Sequence, residues 1–122
     1  MRADDLDGLP LVGKTARFLA ARQDVDIPVN EDGTVGPGMG GTSASPPPIT
    51  NLHPLRLPRE HGGNGKDPVF ELETDKLPSE LAYRPDPANP EGHGFIEPSR
   101  PMPFEDYERA IHATRQFWRP VR

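Results

Sequence analysis

Gly92–Pro103 (GHGFIEPSRPMP) is the stretch that decides the fold, and it runs directly into Phe104–Trp118. It predicts a short apolar strand over Phe95–Glu97, preceded by a single histidine that two glycines flank. Glycines in such positions let another group approach the backbone closely. A proline-bounded turn follows the strand and predicts an abrupt change from strand to helix.

The segment after this turn has the clearest periodicity in the chain. Its apolar residues recur at i, i+3, i+7 and i+14 and share one helical face: Phe104, Tyr107, Ile111 and Trp118. Pro103 suits the first helical position, acidic residues follow it, and arginines lie toward the end, so the charges complement the helix dipole. The segment therefore predicts an amphipathic helix over Phe104–Trp118.

The rest of the chain predicts short elements joined by loops. Val69–Thr74 alternates apolar and polar residues and predicts a strand with one buried face. Leu77–Tyr83 predicts a turn into another short strand, and the proline-rich Arg84–Glu91 predicts a loop. Val25–Val29 alternates around a proline, which suits an edge strand. Thr15–Gln23 is rich in helix formers, but its apolar residues fit the start of a strand equally well.

Composition limits the size of the hydrophobic core. The chain has 122 residues, enough for one small domain over residues 1–122. Only 33% of the residues are hydrophobic, while 17 are proline and 12 are glycine. Much of the protein should therefore be irregular loop, and residues 1–15 predict a loose lead-in.

Charge and residue usage exclude several classes of function. The net charge is −5 with both signs interspersed, so no basic stripe favours nucleic acid. The absence of cysteine excludes disulfides and thiolate chemistry. No apolar run reaches the length of a membrane span, and the N-terminus lacks the apolar core of a signal peptide. We expect a cytoplasmic protein whose export would need a dedicated machine.

The glycine-rich segment Gly36–Gly41 (GPGMGG) matches the spacing of a dinucleotide-binding loop. That loop must open a helix, and here Pro46–Pro48 follows, which excludes a helix immediately after it. No lysine precedes Thr42, so a P-loop is excluded too. The segment is either a structural turn or a loop whose backbone N–H groups hold a ligand.

One histidine stands out from the others. His93 lies at a strand start between glycines, and both a functional role and a structural, hydrogen-bonded role are open. The carboxylates Glu71, Glu73 and Glu97 lie on predicted strands, where they either flank a reacting sugar carbon or belong to a solvated face. No metal site is expected, because no cysteine is available and no zinc spacing joins the four histidines: His53, His61, His93 and His112.

In the order and spacing of its short motifs, the chain resembles the Tse-two-type toxins, type VI secretion effectors with an ADP-ribosyltransferase-like fold. The resemblance covers the chain from about residue 27 to its end. The matching residues are Gly40-Gly41-Thr42-Ser43 after the Asp32-Gly33 turn, Gly92–Pro98 with Arg100-Pro101-Met102, and Tyr107 on the closing helix.

This resemblance implies an α+β fold with a small, twisted, split antiparallel sheet, few helices and many loops. It also implies a cleft for NAD and toxicity inside a target cell that a secretion system reaches. The activity would be that of a mono-ADP-ribosyltransferase or an NAD glycohydrolase. The partners would be an unidentified acceptor macromolecule and a neutralising immunity protein.

The resemblance also assigns site residues. Thr42 and Ser43 match toxicity-critical hydroxyl residues, and either would hydrogen-bond the nicotinamide ribose. His93 matches the critical histidine and would position the NAD or its leaving group. Gly40 and Gly41 would contact the cofactor.

Two further positions are less well defined by the resemblance. Family members carry an arginine on their first strand, and Arg17 is its candidate here as a cofactor-binding residue. None of the shared motifs identifies a catalytic glutamate, for which Glu97 and Glu71 are candidates. Two other functions stay open: an interaction module that docks through its proline-rich loops and closing helix, and a nucleotide-binding or nuclease toxin with His93 as general base.

Overall fold

Three small antiparallel sheets and a single α-helix form the described part of the chain, residues 1–121 of this computed structural model. The α+β fold with antiparallel sheets is therefore confirmed. In chain order the elements are β1 (Thr34–Val35), β2 (Thr42–Ala44), β3 (Phe70–Glu71), β4 (Leu81–Pro85), β5 (Gly94–Pro98), β6 (Met102–Pro103), α1 (Phe104–Ala113) and β7 (Arg119–Pro120).

The largest sheet has the strand order β2-β5-β4, with β5 in the centre. The predicted strand over Phe95–Glu97 is confirmed and extends by one residue at each end. In β4, Arg84 and Pro85 pair with β5, so the prediction that the loop begins at residue 84 is wrong. Proline is tolerated there because β4 is an edge strand with a free side.

Each of the two smaller sheets joins a strand near the C-terminus to an earlier part of the chain. Strand β1 pairs with β6, and β3 pairs with β7. Only Phe70–Glu71 of the predicted strand over Val69–Thr74 is in strand conformation, because its partner β7 is itself two residues long. Phe70 is buried, as the alternating pattern predicts.

The closing helix packs the predicted face on the core. Phe104, Tyr107, Ile111 and Trp118 are all buried. The α-helix ends at Ala113, and a 3-10 turn over residues 114–117 carries the chain to the tryptophan, whose indole N–H donates a hydrogen bond to Thr114 Oγ1 at 3.0 Å. The helix is thus shorter than predicted. Pro103 precedes it as the last residue of β6.

Residues 15–29 contain neither a helix nor a strand, so the predicted elements Thr15–Gln23 and Val25–Val29 are wrong. Isolated bridges occur instead, between Val12 and Leu19 and between Gln23 and Ile27. A turn covers residues 24–26, where the Asp26 carboxylate accepts hydrogen bonds from the backbone and the guanidinium of Arg22. This turn buries Ile27 without a strand.

Some of the N-terminal fifteen residues, for which the sequence predicts a loose lead-in, contact the segment that follows α1. Arg115, which follows α1, donates to the carbonyl of Pro10 at 2.8 Å and forms ion pairs with Asp4 and Asp7. Pro10 is fully buried. Within residues 1–121, no helix combines the length and the apolar character needed to cross a lipid bilayer.

Candidate functional site

The pairing of β2 with β5 brings the glycine-rich loop next to the histidine block. Ser43 lies opposite Phe95 in this antiparallel pair. Side chains alternate between the two faces of a sheet, so Phe95 and Glu97 of β5 share one face with Ser43. His93, the residue before β5, packs edge-on against Phe95 and so lies beside the same face. Arg84 of β4 also lies opposite Phe95 and faces the same way. We call the face formed by Ser43, Arg84, His93, Phe95 and Glu97 the outer face.

A carboxylate and an aromatic ring fix the position of His93. Its Nδ1 lies 2.9 Å from Oδ2 of Asp86, and its ring meets the Phe95 ring edge-on, with centroids 4.9 Å apart. The hydrogen bond from His93 is the main reason that the pKa of Asp86 is lowered, and the Ala88 N–H adds to it. Sequence reasoning missed Asp86, because the pair forms only when β4 and β5 close a hairpin.

The glycine after His93 makes room for a tyrosine rather than for a ligand. A Cβ on Gly94 would overlap the phenol ring of Tyr83, which lies across it from β4. The close approach that the flanking glycine predicts is therefore internal. The contact between Tyr83 and Gly94 joins β4 to β5 next to His93.

The Glu97 carboxylate is buried and fully engaged. The Arg84 Nε lies 2.9 Å from both carboxylate oxygens, and the backbone N–H of Gly38 donates to Oε2 at 2.8 Å. The hydrogen bond to Glu97 is also the main reason that the pKa of Arg84 is raised. Glu97 thus anchors the glycine-rich loop to β5. Sequence reasoning missed Arg84 as its partner because it assigned that residue to a loop.

Thr42 and Ser43 face opposite sides of the sheet. The Thr42 hydroxyl donates to the carbonyl of Ala20 at 2.9 Å, and its backbone N–H donates to the Tyr107 hydroxyl at 2.9 Å. The same hydroxyl of Tyr107 donates to the carbonyl of Ile96 at 2.5 Å. Thr42 therefore joins β2 to the core, whereas Ser43 is exposed on the outer face.

The glycines before Thr42 pack against neighbouring backbone. The N–H of Gly41 donates to the carbonyl of Asp26 at 2.9 Å, and a Cβ on Gly40 would lie 2.8 Å from the same oxygen. A Cβ on Gly41 would overlap the carbonyl oxygen of Ile96. Both glycines thus have a packing role that requires no ligand.

Arg17 is engaged away from the outer face. Its guanidinium binds both carboxylate oxygens of Asp67, at 2.9 and 2.7 Å. This hydrogen bonding is the main reason that the pKa of Asp67 is lowered and that of Arg17 is raised. Glu71, the other candidate glutamate, lies on β3, which pairs with β7 and not with the central sheet.

On the outer face Ser43 is exposed, and His93 and Phe95 are half-buried. Two cavities lie elsewhere, one of about 580 Å³ bounded by Pro58–His61 and Gly65–Val69, and one of about 390 Å³ beside α1. Neither is lined by a residue of the outer face. No group of three or more His, Asp or Glu side chains within residues 1–121 is placed to hold a metal ion. The chemistry available on the outer face is hydrogen bonding by a hydroxyl and an imidazole beside an aromatic ring, next to the ion pair of Arg84 with Glu97.

The Tyr107 hydroxyl should contribute measurably to stability, because it satisfies one backbone donor and one backbone acceptor in the core. Tyr107→Phe should lower the free energy of unfolding by about 2 kcal/mol in chemical denaturation near neutral pH. Tyr83→Phe is the matched control, since the buried Tyr83 hydroxyl has no hydrogen-bond partner within residues 1–121. The control should leave stability unchanged or raise it, because it removes a buried hydroxyl that has no partner.

This contribution should also depend on pH. Burial raises the pKa of Tyr107 from 10.0 to about 12. The unfolded chain therefore loses this proton at a lower pH than the folded protein does. The hydroxyl's contribution is complete below pH 10 and is lost as the pH rises from about 10 to about 12. The stability difference between wild type and Tyr107→Phe should narrow above pH 10; a constant difference would contradict this assignment.

Comparisons of the chain with protein-family models, with curated proteins and with solved structures returned no match. The assignment of the candidate site therefore rests on the positions and contacts of the residues described above.

Proposed function

We propose that the protein is a toxin of the ADP-ribosyltransferase-like class that cleaves NAD, with its site on the outer face. One observation carries the proposal: Ser43 lies opposite Phe95 in the pairing of β2 with β5, and the Phe95 ring packs edge-on against His93. The toxin resemblance assigns roles to a hydroxyl of the Thr42-Ser43 pair and to His93. These residues lie far apart in the sequence, and the sheet brings the two motifs together.

The three side chains suit the nicotinamide ribose end of NAD. The exposed Ser43 hydroxyl would hydrogen-bond the ribose, and the His93 imidazole would accept a further hydrogen bond from the sugar or the leaving group. The Phe95 ring offers a flat apolar contact for nicotinamide. Thr42 would support the site from the other side of the sheet, because its hydroxyl is bound to Ala20.

The proposed reaction breaks the bond between the ribose and the nicotinamide nitrogen. Nicotinamide leaves with the bonding electron pair, and the ribose carbon becomes oxocarbenium-like. An acceptor side chain or water then forms the new bond and loses a proton. Hydrogen bonds that strengthen as charge develops on the ribose would lower the barrier. In this proposal Glu97 is not the group that stabilises this charge, because Arg84 and Gly38 occupy its carboxylate; it holds the glycine-rich loop in place.

The biological setting belongs to the same proposal. The three small antiparallel sheets with one closing helix would be a reduced ADP-ribosyltransferase-like fold. The protein would act in the cytoplasm of a target cell after delivery by a dedicated secretion system. The producing cell would need a neutralising immunity protein to survive.

Titration of the ¹⁵N-labelled protein with NAD tests the proposed site. Because Ser43 is exposed and neither of the two cavities described above includes the outer face, we expect weak binding that needs millimolar NAD. The amide signals of Ser43, His93 and Phe95 should shift together, and those around the cavity at Pro58–His61 should not. Ser43→Ala should weaken the response. If NAD shifts no signal of the outer face, the proposal fails and the interaction-module hypothesis gains support.

A further inference from the structure

The hairpin loop that joins β4 to β5 is built around the contact between Asp86 and His93. The Asp86 backbone N–H donates to the carbonyl of His93 at 3.0 Å, and the His93 N–H donates to the carbonyl of Asn89 at 2.9 Å. The two side chains then meet at 2.9 Å. Backbone and side chains therefore fix these residues relative to each other at both ends of the loop.

The chemistry of the partner assigns the proton on the imidazole ring. An ionised carboxylate only accepts hydrogen bonds, so Nδ1 of His93 must carry the hydrogen that it shares with Asp86. In the neutral ring the other nitrogen, Nε2, then has a free lone pair. The edge-on contact with Phe95, at an interplanar angle of 83°, fixes the plane of the ring.

We propose that Asp86 is the positioning residue of the site, which holds neutral His93 in the Nδ1–H tautomer and leaves Nε2 to accept a hydrogen bond from the ligand. The role in ligand binding rests on the proposed function, whereas the tautomer can be measured without any ligand. Asp86 itself does not touch the ligand. Its effect passes through the orientation and the protonation pattern of His93.

The two carboxylate oxygens of Asp86 have different partners, and this difference allows a direct test of the proposal. Oδ1 accepts the backbone N–H of Ala88 at 2.9 Å, while Oδ2 faces His93. In Asp86→Asn the single amide oxygen stays with the Ala88 N–H, and the NH₂ group then faces Nδ1. That group can only donate, so it should impose the opposite tautomer, with the proton on Nε2. Such an exchange removes the acceptor that the ligand would need, while leaving the loop folded.

The direct measurement is the imidazole ¹⁵N spectrum of His93 in its neutral form. Wild type should show a protonated Nδ1 and an unprotonated Nε2, and Asp86→Asn should show the reverse. Asp7→Asn is the matched control, because the Asp7 carboxylate also accepts the N–H two residues ahead but otherwise binds Arg115. It should leave the His93 spectrum unchanged. Asp86→Ala removes both contacts and should give a mixture of tautomers. This variant replaces the asparagine variant as the test if Asp86→Asn fails to fold.

The rate of nicotinamide release from NAD tests the positioning role of Asp86 separately from the tautomer assignment. With a reversed tautomer, Asp86→Asn should release nicotinamide at least about tenfold more slowly than wild type. A wild-type ring protonated on Nε2, or an unchanged tautomer in both Asp86 variants, would overturn the assignment. An Asp86→Asn protein with the reversed tautomer and full activity would overturn the positioning role alone. Inactive wild type with the expected tautomers would contradict the proposed function and still support the tautomer assignment.

Discussion

Bacteria that express the chain with His93→Ala should survive induction, whereas expression of the wild-type chain should reduce viable counts by about 100-fold or more. The expectation follows from the place of His93 on the outer face, where its imidazole meets Asp86 and Phe95 but is still 29% exposed. The alanine variant removes the ring without changing the strand pairing, since residue 93 precedes β5. Colony counts after induction measure the effect.

A second histidine provides the control for this experiment. His61 is the exposed last residue of a 3-10 helix and lines the larger of the two cavities. His61→Ala should therefore be as toxic as wild type. Equal expression levels must be verified by blotting. Toxicity that survives His93→Ala would contradict the role of His93 in the proposed site. Loss of toxicity in both variants would show that the effect of the substitution is not specific to His93.

Gly41→Ala should lower the free energy of unfolding by about 3 kcal/mol, which corresponds to roughly 10 °C in melting temperature. A Cβ at this position would overlap the carbonyl oxygen of Ile96 and lie 2.9 Å from its carbonyl carbon and 3.2 Å from the Cα of Glu97. These atoms are backbone atoms of the central strand, so they cannot move aside without disturbing the pairing of β2 with β5.

Gly36→Ala in the same loop is the matched control. A Cβ there would meet Pro101 at 3.8 Å and the Met39 sulfur at 3.9 Å, which is ordinary van der Waals contact. This variant should be as stable as wild type or slightly more stable, since alanine restricts the unfolded chain. Thermal unfolding followed by circular dichroism compares the two. If Gly41→Ala melts at the wild-type temperature, the close approach of β2 to β5 is not as described.

The elements that the sequence predicts best are those with a strong local pattern. The buried face of α1, from Phe104 to Ile111, follows from helical periodicity, and the central strand follows from its apolar run between glycine and proline. The region 15–29 could not be predicted in the same way. Its conformation depends on the Arg22–Asp26 contact and on isolated bridges, which local propensity does not encode.

In the candidate site, too, the sequence indicates single residues but not the partners that tertiary structure brings to them. His93 and Ser43 could be singled out from the sequence, because glycines and a resemblance mark them. Their partners could not, since Asp86 reaches His93 and Arg84 reaches Glu97 only across the β4–β5 hairpin. The sequence also leaves open which group approaches the backbone at the glycines that flank His93. At Gly94 the answer is the ring of Tyr83.

The most direct test of the central claim is release of nicotinamide from NAD by the purified protein. We predict that wild type releases nicotinamide and that His93→Ala, shown to be folded by circular dichroism, releases it about 100-fold more slowly or not at all. The measurement should include a cell extract, which supplies any acceptor macromolecule. No release by wild type with or without extract, or equal release by His93→Ala, would contradict the account.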